Sequence, residues 1–402
     1  MSSENLSFSQ VIKTDAESAY RAFTNATELR GWLCNVATVV PRPGGRLYLW
    51  WESGYYTSGE YNTAEPGKRV SFTWSGKDDP AQSTVEVTFS PQHGGTLVEV
   101  SHQELGSGPE WTKSRSEMEK GWSNALENLN SVVTTGEDLR FVTRPMLGII
   151  VDDFNEEVAK KLGMTSADGI RLGGTVAGMG AESAGLKEND VIVRMGGMPT
   201  INFETLNQAL TAHKAGDTVE VVYFRGGEQQ TLQMKLSGRP IPEIPTTAQG
   251  LAEAVGKIYR QIENGLEDFL GEVSEEEASF KPDAAEWSIK ENLAHFIQGE
   301  RFFHQYMAEL VSGYERFADD YGGNVDEILQ ATTTAYPTVK DLFEEYKRNM
   351  AETLFTVAHL PEEFLARKGE YWRLAYGLLQ DPFHFDSHLE QMKAALEAAR
   401  KS

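Results

Sequence analysis

The segment Phe-His-Phe-Asp-Ser-His at residues 383–388 places two histidines, His384 and His388, four residues apart. If the segment is helical, both imidazoles project from one face of the helix, one turn apart. Two imidazoles at this spacing can hold a metal ion when a third ligand arrives from elsewhere in the fold. The best candidate for that ligand is His295, in the segment Asn-Leu-Ala-His at residues 292–295. The sequence therefore predicts that two distant segments meet at a three-histidine site.

Helical patterns surround both segments throughout residues 241–402. Apolar residues recur three and four positions apart in four stretches, which is the spacing of amphipathic helices. Ser288 and Glu291 have the spacing of a capping box, so one helix should begin at Ser288 and carry His295 two turns inside it. Four such helices in this length predict an all-α four-helix bundle.

The pair Trp-Ser at 287–288, followed by residues 292–295 and then by residues 384–388, resembles the DinB/YfiT-like superfamily. That family typically binds a divalent metal, so the resemblance implies such an ion, zinc or nickel. It also implies three ligands, namely His295, His384 and His388. Some relatives transfer small thiols or hydrolyse amides, and the resemblance allows either reaction. The alternative is that the three imidazoles only pack or form hydrogen bonds within the bundle.

Two acidic residues are candidates for orienting these ligands from behind, as outer partners of metal-binding histidines commonly do. They are Glu300 and Asp386. By contrast, His304 lies nine residues past His295, near the opposite face of the helix, and is therefore a poor fourth ligand.

Composition limits the classes of function. A length of 402 residues suggests about two to four domains. The net charge of -23 argues against a nucleic-acid partner, because phosphate binding needs clustered Lys and Arg. No apolar run reaches the roughly 18 residues of a membrane helix, and the first residues have no signal-peptide pattern. With Cys34 as the single cysteine, no intrachain disulfide can form, and we expect a cytoplasmic protein.

Residues 1–138 read as an α+β domain. Five segments of alternating polarity, separated by turn residues, predict an antiparallel meander, and a long amphipathic helix follows from about residue 110 to 133. The pattern resembles the SRPBCC superfamily, on the branch related to the activator of the heat-shock-protein ATPase. The resemblance rests on residues 22–23, 31–32, 43–45, 59–61, 70–74, 84–89, 95–96 and 121–122. It implies a helix-grip fold, in which a curved sheet holds a long helix around an internal cavity.

Aromatic residues are abundant in this domain, and three of them are candidates to line a cavity for a small hydrophobic ligand. They are Trp50, Tyr61 and Trp74. The alternative is that these rings fill an ordinary core.

Residues 139–240 read as a mainly-β module. The segment 185–197, Gly-Leu-Lys-Glu-Asn-Asp-Val-Ile-Val-Arg-Met-Gly-Gly, resembles the PDZ domains of bacterial HtrA-type proteases, as do residues 181–186, 202–206 and the strands at 218–224 and 230–236. Asn189 stands where this family usually has glycine, and the turn should survive because Asn tolerates a positive φ. No Gly-x-Ser-x-Gly segment accompanies the module, which argues against a protease.

Such a module binds a protein C-terminus by β-augmentation, in which the peptide adds as a strand and its carboxylate meets backbone N–H groups. The predicted contacts come from one loop, the strand after it and one facing helix. They are Met146, Leu147, Gly148, Ile149, Ile150, Leu206 and Leu210. The alternative is a PDZ fold that only holds neighbouring domains together.

The sequence thus predicts a multidomain chain with a helix-grip domain at 1–138, a PDZ domain at 139–240 and a DinB-like bundle at 241–402. The leading hypothesis is a cytoplasmic protein whose metal site performs thiol-dependent transfer or metal-assisted hydrolysis on a small molecule, without contact to nucleic acid or membrane. The competing hypothesis is a non-catalytic, stress-related adaptor that binds an apolar ligand and a protein C-terminus. The sequence is compatible with both hypotheses and does not decide whether the chain is an enzyme.

Overall fold

The computed structural model describes residues 4–283, 286–316 and 326–402, without the side chains of residues 381–383. Packing divides the chain into two compact units. One unit combines the residues up to Asp138 with those from Pro242 onward, and the other consists of Leu139–Ile241. The division into domains at residues 1–138, 139–240 and 241–402 remains a prediction. In the part of the chain that is described, no helix has the length and apolarity needed to cross a membrane.

The first part of the larger unit is an α+β fold. Its elements are β1 (Glu4–Ile12), α1 (Ala16–Thr24), α2 (Ala26–Trp32), β2 (Val36–Val39), β3 (Arg46–Trp50), β4 (Tyr56–Glu65), β5 (Arg69–Gly76), β6 (Ser83–Gln92), β7 (Gly95–Leu105) and α3 (Thr112–Thr135). The seven strands form one antiparallel sheet in the order β1-β7-β6-β5-β4-β3-β2. Helix α3 packs on this sheet with the predicted apolar face, which includes Met118, Trp122 and Leu126, turned into the core.

Aromatic rings fill the interior around Trp74. The ring centroid of Trp74 lies 6.1 Å from that of Trp51, 6.4 Å from that of Phe72 and 5.9 Å from that of Trp122. These separations are those of directly packed aromatic pairs. This packing favours the ordinary-core alternative for the rings around Trp74.

A buried histidine, His102, is held neutral beside these rings. Trp122 Nε1 donates a hydrogen bond to His102 Nδ1 at 3.2 Å, so the ring hydrogen lies on Nε2, which is 2.8 Å from Ser83 Oγ. Burial lowers the pKa of His102 to about 4. Because Nε2 already carries the hydrogen, His102 cannot take a proton from Ser83, and this pair is a structural contact rather than a nucleophile and base.

The second unit is rich in β-structure. Its elements are α4 (Leu139–Val142), β8 (Pro145–Met146), β9 (Ile149–Val151), α5 (Glu156–Lys161), β10 (Ile170–Thr175), α6 (Gly180–Ser183), β11 (Val191–Met195), β12 (Met198–Pro199), α7 (Phe203–Thr211), β13 (Thr218–Arg225), β14 (Glu228–Lys235) and β15 (Ser237–Gly238). Its main sheet has the order β14-β13-β11-β10-β9, so β9 is an outer strand.

The turn before β11 confirms the expectation for Asn189. Asn189 has φ +67°, and its side-chain oxygen accepts hydrogen bonds from Arg171 Nε at 3.1 Å and Arg171 Nη2 at 2.9 Å. The neighbouring Asp190 is buried and makes a bidentate pair with Arg225, with distances of 2.7 and 2.6 Å. The side-chain contacts on both sides of the turn thus hold it in the conformation that glycine would otherwise supply.

The residues from Pro242 onward are helical. The helices are α8 (Ala248–Leu270), α9 (Glu275–Ser279), α10 (Ile289–Ser312), α11 (Asp326–Ala335), α12 (Val339–Ala358), α13 (Glu362–Ala366), α14 (Lys368–Leu379) and α15 (Asp381–Lys401). The four predicted helices correspond to α8, α10, α12 and α15, which pack on one another. The capping box predicted at Ser288 and Glu291 is present at the start of α10. The predicted order of an α+β, a β-rich and a helical region is confirmed.

Helix α14 is an addition to the four predicted helices. It packs against α8 of the bundle and also against α2 and α3 of the helix-grip part. At its contact with α3, a Cβ placed on Gly136 would lie 2.6 Å from Trp372 Cβ, and Gly136 has φ +88°. Only glycine suits both this approach and this backbone conformation. The close packing joins the two ends of the chain in one unit.

A polar junction continues this contact where α1 and α2 meet the residues after α10. Asn25 Nδ2 donates to the carbonyl oxygen of Gly313 at 3.1 Å, and the backbone N–H of Glu315 donates to Thr27 Oγ1 at 3.0 Å. The Glu315 carboxylate pairs with Arg30 and, at 3.0 Å, with Arg373. The side chains of Arg30 and Glu315 are 6% and 10% exposed, so this ion pair is largely removed from water.

A second carboxylate at the junction, Glu28, makes stability depend on pH. Burial raises the pKa of Glu28 to about 7, the charge of Glu370 adds to this, and Arg21, 3.3 Å away, opposes it. Between the ordinary carboxyl pKa and about 7, the native protein therefore binds more protons than the unfolded chain, and stability falls as pH rises. We expect Glu28→Gln to reduce this slope, part of which Glu370 also carries because burial raises its pKa, and to stabilise the protein by about 1–2 kcal/mol above pH 7.

Denaturant unfolding at a series of pH values between about 5 and 8 measures this effect. The exposed Glu119→Gln on α3 is the matched control and should retain the wild-type slope. An unchanged slope in Glu28→Gln would contradict the assignment of the proton uptake to this carboxyl.

Candidate metal centre

Three imidazole nitrogens meet between α10 and α15. His295 Nε2 lies 3.1 Å from His384 Nε2, and His388 Nε2 lies 3.2 Å from the same atom. All three ligand atoms lie within 4.8 Å of one another. His384 and His388 are one turn apart on α15, and His295 lies two turns inside α10. The structure therefore brings together the three residues that the sequence singles out as metal ligands.

The orientation of the His388 ring is set by two amide side chains. His388 Nδ1 is 2.9 Å from Asn292 Oδ1 and 3.1 Å from Gln391 Oε1. Asn292 Nδ2 donates to the carbonyl oxygen of Ser288 at 3.1 Å, which leaves Oδ1 turned to the imidazole. Amide oxygens only accept hydrogen bonds, so Nδ1 carries the hydrogen and Nε2 presents its lone pair to the other two rings.

The donor set fits a divalent cation. Burial lowers the pKa of His384, with a further contribution from His388, and burial also lowers the pKa of His388. The lowered pKa values favour the neutral form of His384 and His388, and neutral imidazole is the form that binds metal. Separations of 3.1 and 3.2 Å fit nitrogens that share a cation, and they also fit N–H···N hydrogen bonds of His384 Nε2. The arrangement is compatible with a divalent metal ion held by the three imidazoles.

Aromatic residues hold the ligands on one side, and solvent reaches them on the other. The Trp287 ring stacks on the His388 ring with a centroid separation of 5.9 Å and an interplanar angle of 11°. Phe296 packs edge-on against His388 at 5.5 Å. His384 is exposed, whereas His295 and His388 are half-buried. A small molecule can therefore approach from the His384 side.

Glu300, a sequence candidate for orienting the metal ligands, contacts Thr353. It is buried and accepts a 2.5 Å hydrogen bond from Thr353 Oγ1, while His304 Nε2 lies 2.8 Å from the same hydroxyl. The side chain of Asp386 is exposed. Orientation of His388 comes instead from Asn292 and Gln391. The sequence offered one signal for this role of Asn292, since its position three residues before His295 puts it on the same helix face.

The predicted peptide-binding residues lie around the start of β9. Gly148 has φ +77°, and a Cβ placed on it would lie 2.2 Å from Met179 Cβ, so the loop before β9 requires glycine. Ile150 is 54% exposed on the outer strand, and Ile149 and Leu210 are half-buried at the edge of the core. Two of the predicted residues, Leu147 and Leu206, are buried in that core, and Met146 on β8 is half-buried.

The structure does not bring the three cavity candidates together. Tyr61 and Trp74 are buried on the inner face of the sheet. Trp50 follows the alternation of β3, in which Leu47 and Leu49 are buried, and therefore projects to the opposite face. Trp51, the next residue, packs against the core instead.

Three protein families match the chain in sequence. They are "Activator of Hsp90 ATPase homolog 1-like protein" at residues 13–134, "PDZ domain" at residues 148–236 and "DinB superfamily" at residues 258–392. The matches confirm, in order, the three resemblances seen in the sequence.

Curated relatives match around the PDZ region. The serine protease Do-like HtrA of Lactococcus lactis is 29% identical over 158 residues, which cover 36% of this chain and 38% of that protein. A probable periplasmic serine endoprotease DegP-like of Marinomonas is 26% identical over 180 residues, covering 44% of this chain and 38% of that protein. The chain thus spans well under half the length of these relatives, and their activity is not carried over to it.

Solved structures match over about one third of the chain. A crystal structure of the protein MLL2253 from Mesorhizobium loti has 25% identity and a TM-score of 0.30, covering 32% of this chain and 96% of that chain. The solution structure of the Aha1 dimer from Colwellia psychrerythraea has 18% identity and a TM-score of 0.29, covering 32% and 95%.

Proposed function

From a chain that combines an activator-of-Hsp90-ATPase-like domain, a PDZ domain and a DinB-superfamily domain, we propose a metal-dependent transferase or hydrolase with a peptide-binding module. His295, His384 and His388 hold a divalent metal ion, and the substrate is a small molecule. The observation that carries this proposal is the meeting of three Nε2 atoms, joined by separations of 3.1 and 3.2 Å.

The ligand residues leave room for chemistry. A divalent ion on three neutral imidazoles keeps a position for water or substrate, where it lowers the pKa of water, polarises a carbonyl or binds a thiolate. Asn292 keeps His388 in the tautomer that presents Nε2. Trp287 covers the His388 ring and limits its rotation, and the exposed side of His384 admits the substrate. Imidazole ligands suit zinc and nickel, which are the metals that we propose.

Asn292 offers a sharp test of the ligand geometry. We expect Asn292→Leu to weaken metal binding by about 10–100-fold, because the leucine removes the nearer of the two acceptors of His388 Nδ1 and leaves only Gln391. Asn292→Asp retains an acceptor for Nδ1 and should lose less metal affinity than the leucine variant, although it loses the hydrogen bond that Asn292 donates to Ser288. Chelator competition on the full-length protein measures the affinities, and equal binding by the leucine variant would contradict this role.

A second candidate function is favoured by one observation, the exposed Ile150 on outer strand β9. In this alternative the chain is a non-catalytic, stress-related adaptor whose groove binds a protein C-terminus, and the metal only stabilises the bundle. The packed rings around Trp74 give less support to the adaptor's apolar ligand. The cytoplasm is the proposed location for either function, since a single buried cysteine, Cys34, is compatible with a reducing compartment.

Metal analysis of the purified full-length protein, followed by assays on thiol-transfer and amide substrates, separates the two functions. Metal-dependent turnover that stops on chelation and returns on reloading supports the enzyme. Bound metal without turnover, together with a lower melting temperature in chelator, supports the adaptor. A protein that neither retains zinc or nickel nor takes it up defeats the metal-based proposal.

A further inference from the structure

The acidic residues at the far end of β9 point to the kind of C-terminus that the PDZ groove binds. This inference rests on the proposed peptide binding. We propose that the groove selects C-termini with an apolar last residue and with Lys or Arg roughly three to five residues before it.

The direction of the bound peptide follows from the position of the Gly148 loop. The loop lies at the N-terminal end of β9, so a peptide whose carboxylate sits there runs antiparallel to β9. Its preceding residues pass Ile150 and Val151, which are 54% and 45% exposed, and then reach Asp152 and Asp153. The last residue faces the half-buried side chains Ile149 and Leu210, which favour an apolar group.

Carboxylates gather where the upstream part of such a peptide ends. Asp152 and Asp153 are exposed, and Glu156 and Glu157 follow in the first turn of α5. The Asn155 side chain caps this helix by accepting from the N–H groups of Glu157 and Val158, both at 3.1 Å, which fixes where the first turn begins.

Nearby cations offset only part of this charge. Arg171 Nη2 lies 3.2 Å from Asp152 Oδ2, but Arg171 is largely occupied with Asn189 and the carbonyl oxygen of Asp153. Lys161 pairs with Glu157 at 2.7 Å, in the last turn of α5. Asp153 and Glu156 are therefore the carboxylates that a basic peptide side chain would meet.

The first two carboxylates, Asp152 and Asp153, directly follow the last residue of β9, where the added strand would pass. Ile150 and Asp152 share one face, since a Cβ placed on Gly173 would contact both side chains. Val151 belongs to the other face by the period of two, and Asp153 follows two residues beyond the end of β9. Opposite charges on neighbouring strands favour pairing, and like charges oppose it. A basic residue is consequently favoured, and an acidic one disfavoured, at adjacent upstream positions of the peptide.

The test uses the full-length chain and fluorescence anisotropy with peptides that share an apolar C-terminal residue. The upstream pair is Lys-Lys, Ser-Ser or Glu-Glu, and each peptide is also made as the C-terminal amide. We expect the Lys-Lys peptide to bind about tenfold more tightly than the Glu-Glu peptide at low salt, with a smaller difference at about 0.5 M salt. The double variant Asp153→Lys/Glu156→Lys should invert this preference.

A matched variant controls for the negative charge of the whole chain. Glu228→Lys reverses a charge on β14, at the other edge of the same sheet, and should leave the preference unchanged. Equal affinity for the three acid peptides, or a preference that survives in the double variant, overturns the charge rule while peptide binding stands. If the amides bind as well as the acids, or if no peptide binds, the proposed C-terminus binding itself fails.

Discussion

His384→Ala is expected to abolish stable metal binding. His384 Nε2 lies next to both other candidate ligand atoms, at 3.1 and 3.2 Å. Its loss therefore leaves only His295 and His388 to hold the ion. Even residues that only orient metal ligands change affinity by 10–100-fold, and loss of a ligand should cost at least about 100-fold. Metal content after dialysis should fall from near one ion per chain to near zero, and any metal-dependent turnover should disappear with it.

The control for this prediction is another histidine of the same unit. His359→Ala removes a ring at the end of α12 that stacks on Phe355 and donates a hydrogen bond from Nδ1 to the carbonyl oxygen of Phe355. The ring is not one of the three ligands, so its loss should leave metal content unchanged. Because His384 is exposed, its replacement by alanine leaves no core cavity, and thermal unfolding in chelator should match the wild type. Equal and negligible metal in wild type and His384→Ala would remove the basis of the proposed chemistry.

Glu315→Ala is expected to give the largest loss of stability. The variant leaves Arg30, whose side chain is 6% exposed, and Arg373 without the carboxylate that they share. Removing one member of a buried ion pair typically costs about 3–5 kcal/mol, because the remaining charge stays desolvated. Denaturant unfolding of the full-length chain should show this loss in the transition of the larger unit.

An exposed ion pair gives the comparison. Glu344→Ala breaks a pair with Lys347 in which both side chains are at least 33% exposed, so it should change stability by less than about 1 kcal/mol. Glu315→Gln retains hydrogen-bonding capacity without the charge and should fall between the two. If Glu315→Ala behaves like Glu344→Ala, the junction between the helix-grip part and the bundle does not depend on this network.

Local patterns in the sequence predicted several features of this protein. The spacing of His384 and His388, the capping box at Ser288 and the positive φ of Asn189 each depend on residues within one turn or one loop. Such features need only the geometry of the backbone and the chemistry of neighbouring side chains. For the same reason, the order of three modules could be recognised from their motifs.

Other features, most of which depend on contacts between distant segments, were not predicted. Helix α14 was missed, and its place between α3 and α8 depends on contacts across the chain. The role of Asn292 toward His388 joins residues 96 positions apart. Trp50 was grouped with Tyr61 and Trp74 by composition, although the alternation of β3 turns it to the other face of the sheet. The place of α14 and the contact between Asn292 and His388 have no signal within a single segment. The alternation of β3, in contrast, is a local signal that separates Trp50 from the buried face.

The amino-acid order by itself determined the identities of the modules and the three candidate ligands, because short-range spacing and turn chemistry depend only on residues close together in the sequence. Tertiary structure alone decided that His295 meets the pair on α15, that amide oxygens select the His388 tautomer, and that Glu315 joins the two ends of the chain. These outcomes depend on which surfaces pack together, and packing is decided by the burial of many side chains at once rather than by any one motif.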